Sequence, residues 1–125
     1  MRKTELQRFR KLLLEEKERV TQSLAQHEKI IMHTDDQSGL ETGKAHSNHM
    51  ADQGSDEFQY ETTIKFAKTE GRYLYNIEEA LRRIEDGTYG NCQECTRAIA
   101  LPRLRRLPYT RLCIECKEKE EAGTI

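Results

Sequence analysis

The sequence has no tryptophan, only two prolines and few aromatic residues of any kind, 6% of 125 residues. Charged side chains make up 34% and hydrophobic ones 35%, which excludes a thick core built on large rings and suits long helices with one buried stripe. Both prolines, Pro102 and Pro108, lie in the last quarter, so the strongest helix breaker is missing from everything before residue 100. Long apolar runs are absent as well. The N-terminal stretch MRKTELQRFRKLLLEEKER has none longer than Leu12–Leu14, so neither a signal peptide nor a membrane span is expected there. The expected location is cytoplasmic, with no membrane partner, in a compartment where disulfides are rare.

The net charge is −1, but it is unevenly spread. Residues 1–32 carry +3, residues 33–61 carry −6, residues 62–86 balance, and residues 87–125 carry +2. The second of these segments is therefore an acidic pole, and a contact with phosphates is expected elsewhere.

Two long stretches read as helices. From about Glu5 to Met32, the apolar positions Leu6, Phe9, Leu13, Val20, Leu24 and Ile31 recur at three- and four-residue steps, a narrow coiled-coil seam. Thr4 and Gln7 have the spacing of a capping box at its start. A second seam, Tyr60, Ile64, Ala67, Leu74, Ile77, Leu81 and Ile84, predicts a helix to about Glu85. Ser55 is its expected N-cap, with Asp56 and Glu57 favouring the first turn. Gly71 interrupts it at a cost of about 1 kcal/mol. Residues 33–54 between the seams have three glycines and no apolar stripe, and read as a loop. Each helix should span about 40–45 Å and the two should fold back on each other. His27 falls on the first seam as a polar residue of the kind that sets register.

All four cysteines lie in two C-x2-C pairs, Cys92/Cys95 and Cys113/Cys116, with seventeen residues between them. Each knuckle turns two thiolates toward one ion, and two knuckles complete a tetrahedral zinc site. Redox C-x-x-C motifs come with a βαβ pattern, which is missing here. Four thiolates leave no open position for water, so one structural Zn2+ is expected. Binding it changes the formal charge by −2. Arg97, Arg103, Arg105, Arg106 and Arg111 around the knuckles either offset that charge or form a basic contact patch.

The fold class expected is mainly α: a long antiparallel two-helix coiled coil over residues 1–86, with its acidic tip at about 33–55. At its base sit a small C4 zinc finger and a short C-terminal helix starting near Cys113, over residues 87–125. The stretches GTYGNCQEC and RLRRLPYTRLCIECK, preceded by such a coiled coil, resemble the DksA/TraR family of bacterial transcription regulators from about His49 to Lys117. The resemblance implies a non-enzymatic protein that binds RNA polymerase directly, recognises no promoter sequence, and inserts its coiled-coil tip into the secondary channel to alter promoter complexes. The best-known member carries a D-x-x-D-x-A tip. Its second aspartate falls on Asp52, its first on His49 and its alanine on Gly54, with Ser55 following. Thr96 stands where a glycine often follows the second cysteine. The residues do not decide whether guanosine tetraphosphate acts together with this chain.

A carboxylate such as Asp52 on a rigid arm suits a basic channel wall or bound Mg2+. Asp35, Asp36 and Glu41 read as solvated acids that add to the local field. His33, His46 and His49 with Asp52 make a second metal cluster of irregular spacing, a weak pattern. The alternative functions are a nucleic-acid-binding zinc ribbon, with Arg103 to Arg111 on phosphates, and a helical adaptor for another protein. An enzyme is not expected, because two helices and a small finger offer no evident ligand-sized cavity.

Overall fold

The computed structural model describes the backbone of residues 1–40 and 50–124, and the side chains of residues 1–33 and 57–124. Four helices follow in order: α1 (Lys3–Leu40), α2 (Met50–Asp86), α3 (Leu101–Arg106) and α4 (Ile114–Glu121). The chain is mainly helical, as its composition requires. None of these helices is long and apolar enough to cross a membrane.

Both long helices exceed the seams that announced them. α1 has 38 residues and runs eight residues past Met32, giving a contour of about 57 Å. α2 begins at Met50, five residues ahead of Ser55. The expected loop over 33–54 is therefore helical at both of its ends, and its remaining residues, 41–49, lie outside the described ones. The physical reason is that elongation adds one hydrogen bond for each residue fixed, so a nucleated helix continues without a buried stripe until something stops it. Met50, Ala51 and Gln53 are good helix formers, and no proline intervenes. Neither expected cap forms. Ser55 lies inside α2, and Thr4 lies inside α1, whose first turn closes on the Arg2 carbonyl through the Leu6 N–H at 3.0 Å.

The chain packs as two compact units, Met1–Glu18 with Leu74–Ile125, and Arg19–Tyr73. In the first, Phe9 and Leu13 of α1, Ile77 and Ala80 of α2, and Tyr89, Ile99, Leu104 and Leu112 from the following segment are buried residues of the core. The Phe9 and Tyr89 rings lie 5.6 Å apart at 50°. In the second unit Val20 is buried, but Leu24, Ile31, Tyr60, Ile64 and Ala67 keep partial exposure. Two helices cover a seam from one side only, and the denser core forms where a third layer is added.

His27 lies between the helices of the second unit. Its ring stacks on Phe66 at 6.0 Å, and its Nδ1 pairs with a carboxylate oxygen of Glu70. Both facing atoms are shut off from solvent.

α2 ends in a Schellman turn. Gly87, at φ +81°, donates to the Ile84 carbonyl at 3.3 Å, and Thr88 donates to the Arg83 carbonyl at 2.9 Å. This turn reverses the chain into the finger.

Candidate metal centre

The finger is built on one short antiparallel bridge. Asn91 pairs with Ala98, Cys92 N–H donates to the Arg97 carbonyl at 2.8 Å, and Ile99 N–H donates to Gly90 at 2.7 Å. Gly90 allows this, because a Cβ there would stand 2.8 Å from the Met1 Cε and its φ is +91°. The first knuckle caps the bridge, closed by the Thr96 N–H to the Cys92 carbonyl at 2.9 Å. Thr96 itself has φ +62°, the left-handed region that a β-branched residue occupies only under strain. That explains why a glycine is the expected residue at this position.

The second knuckle opens α4. Cys113 is the N-cap and Cys116 sits in the first turn, so one turn of helix sets both thiols on one side. A helix from near Cys113 was the sequence expectation, whereas α3 was not. Its signal is Pro102 in the first helical turn, where the missing N–H costs nothing. The knuckles are tied directly by the Gln93 N–H to the Arg111 carbonyl at 2.9 Å.

These elements bring the four sulfurs of Cys92, Cys95, Cys113 and Cys116 within 4.8 Å of one another. Cys95 and Cys113 Sγ are 3.7 Å apart. Four sulfurs each about 2.3 Å from a central Zn2+ would be separated by about 3.8 Å, so the donor set fits one zinc ion. Burial opposes ionisation of Cys92, but backbone N–H groups of Cys95, Cys113 and Glu94 outweigh it and bring its pKa down to about 6. Burial, reinforced by the other three thiols, pushes Cys116 up to about 12. Four such groups can be thiolates together only around a cation.

The chain from residue 87 to 122 matches the prokaryotic dksA/traR C4-type zinc finger. The chain belongs to the DksA/TraR C4 zinc-finger family. It is 32% identical over 126 residues to a protein of Aquifex aeolicus with no assigned role, covering 99% of this chain and 83% of that one. It is 34% identical over 80 residues to the RNA polymerase-binding transcription factor DksA of Caulobacter vibrioides. That match covers 62% of this chain and 56% of the relative, so it spans about half the length of that curated protein. Among solved structures, transcription factor DksA2 from Pseudomonas aeruginosa aligns with a TM-score of 0.78 at 29% identity, over 99% of this chain and 88% of that one.

The structure sorts the five arginines. Arg103 is held by its own finger, its Nε donating to the Leu112 carbonyl at 3.0 Å. Arg111 pairs with Glu120, which also takes Lys117 at 3.1 Å, and the two cations hold the Glu120 carboxyl below its ordinary range. Arg97 stands 4.0 Å from Glu115. Arg105 and Arg106 are exposed.

Two residues that organise this region were missed in the sequence. Arg83 is only 6% exposed and donates to the Tyr109 and Thr110 carbonyls at 3.2 and 3.3 Å. Burial lowers its pKa. Tyr89 donates its hydroxyl to the Pro108 carbonyl at 2.8 Å. Arg83 falls next to a seam position and reads as solvated, while its carbonyl partners are chosen by the fold.

A cleft of about 460 Å3 lies between the end of α2 and the finger, bordered by Glu79, Arg83, Arg103, Arg111, Lys117 and Glu120 among others. This corrects the expectation that no ligand-sized cavity exists. The folded-back finger makes a concave wall that helix counting does not reveal. The lining contains no histidine, cysteine, serine or aspartate. Asp52, Gly54 and Ser55 lie on the helical backbone near the start of α2. His46 and His49 fall outside the described residues, as does any metal cluster they would form.

Proposed function

We propose that this protein is a non-enzymatic transcription regulator that binds RNA polymerase. The carrying observation is the four-cysteine cluster in the segment that follows α2, in a chain that aligns over 99% of its length with transcription factor DksA2. Relatives named as RNA polymerase-binding factors support the partner. In this reading zinc supplies a fixed tetrahedral anchor that replaces a core too small to hold the finger. Arg83 and Tyr89 then hold the finger against the helices.

The finer reading is that the segment around Asp52 enters the polymerase secondary channel, where its carboxylate acts on initiation complexes. The negative charge of residues 33–61 supports this, because a basic channel would draw it in. The test is a pull-down with core polymerase and a promoter-complex lifetime assay, comparing the native chain with Asp52→Asn and Cys92→Ser. Asp52→Asn should bind but lose the regulatory effect, and Cys92→Ser should lose binding. Full regulation by Asp52→Asn would remove the tip from the mechanism. The nucleic-acid-ribbon reading is weaker, because Arg97, Arg103 and Arg111 already face partners in their own chain.

A further inference from the structure

Within the basic stretch of the finger, Arg105 and Arg106 differ from the other three arginines. α3 buries Leu104 completely and leaves Pro102, Arg105 and Arg106 as its exposed positions. The helix is closed at both ends by its own backbone bonds and tied to the rest of the finger by buried Leu104 and one arginine side chain. Leu104 N–H donates to Ala100 at 3.1 Å, Leu107 N–H donates to Arg103 at 2.8 Å, and the Arg103 side chain clamps the Leu112 carbonyl. Neither Arg105 nor Arg106 makes a side-chain hydrogen bond or ion pair among the described residues. Two adjacent planar guanidiniums thus leave a rigid platform with their donors unused. The bland account is that they complement the carbonyl end of α3, but α3 has six residues and Arg103 is also in its last turn.

We propose that the exposed face of α3 is a docking surface, and that Arg105 and Arg106 engage carboxylates on an acidic protein surface. Resting on the reading above, that surface belongs to RNA polymerase. A guanidinium takes a carboxylate through two parallel N–H···O bonds, and a platform already ordered loses less entropy on docking. A nucleic-acid backbone fits less well. Two free cations on one six-residue helix make no extended track along a polyanion.

The test uses the full zinc-loaded chain and core RNA polymerase, with affinity measured at several salt concentrations. Three variants are compared: Arg105→Glu with Arg106→Glu, Arg105→Lys with Arg106→Lys, and Lys119→Glu as an exposed cation of the same finger. Zinc content and melting temperature confirm folding. The glutamate pair should weaken binding by at least about tenfold and flatten its salt dependence. The lysine pair should lose several-fold, because charge remains but the fork is gone. Lys119→Glu should change little. If native protein binds and the glutamate pair binds equally well, or if Lys119→Glu loses as much, the docking face is wrong while polymerase binding stands. If the native chain does not bind polymerase at all, both fall. A low-salt titration with duplex DNA that depends on Arg105 and Arg106 would make the surface a phosphate site and overturn the proposal.

Discussion

The hydroxyl of Tyr89 donates to the carbonyl of Pro108 at 2.8 Å, both groups buried. Tyr89 leads into the first knuckle and Pro108 leads into the second, so one bond crosses the two halves of the finger. The Tyr89 ring meanwhile packs on Phe9 of α1. Tyr89→Phe keeps the ring and leaves the carbonyl without its donor, an expected loss of about 1–2 kcal/mol in urea unfolding. Burial also raises the Tyr89 pKa above its ordinary 10.0. The unfolded chain therefore ionises first, and the stability that neutral Tyr89 contributes is complete below pH 10 and lost as pH rises above it. The native protein should lose more stability above pH 10 than Tyr89→Phe does. Parallel curves for the two would refute the assignment.

Arg83 carries the neighbouring joint. Its guanidinium serves two carbonyls, of Tyr109 and Thr110, at the end of α2. Arg83→Met should retain much of the packing of the stem and leave both acceptors unsatisfied, costing about 2–3 kcal/mol. Chemical denaturation with zinc bound checks this. A loss below about 0.5 kcal/mol would mean that water replaces the guanidinium.

Backbone conformation gives substitutions of opposite sign. Gly71 is inside α2, and a Cβ there meets nothing within 4 Å, so Gly71→Ala should stabilise by about 1 kcal/mol. Thr96→Gly should also stabilise, by about 0.5–1 kcal/mol, because it relieves the left-handed strain of a β-branched residue. Gly90→Ala should destabilise, since it faces both a positive φ and the Met1 side chain. Melting temperatures of the three variants suffice, and a uniform sign across them would refute the conformational argument.

Zinc uptake should release protons at pH 7, because the ligands bind as thiolates and burial favours the protonated thiol at Cys116 in the metal-free chain. Affinity should therefore fall as pH falls. Chelation should collapse the near-ultraviolet signal of the finger tyrosines while the far-ultraviolet helix signal changes less. An apo chain with an unchanged urea midpoint would show that the metal has no structural role.

The sequence by itself determined the class and the metal. Seams at three- and four-residue steps can only be buried by helices facing each other, and two C-x2-C pairs bring four thiols to one ion because a knuckle is local geometry. The start of α4 at Cys113 was legible for the same reason. Helix ends were not, because propagation past the last seam residue costs little and no proline lies in residues 33–40 or 50–55 to stop it. The place of Arg83 was not legible either. A lone arginine beside a seam reads as solvated, and only the return of residues 109 and 110 over the end of α2 supplies its acceptors. The sequence treated the five arginines as one group, either offsetting the charge of the zinc site or forming a contact patch. Tertiary structure alone separated Arg103, Arg111 and Arg97, which face groups of their own finger, from Arg105 and Arg106, which face outward. Which charges remain available for a partner is decided by contacts between residues far apart in the chain.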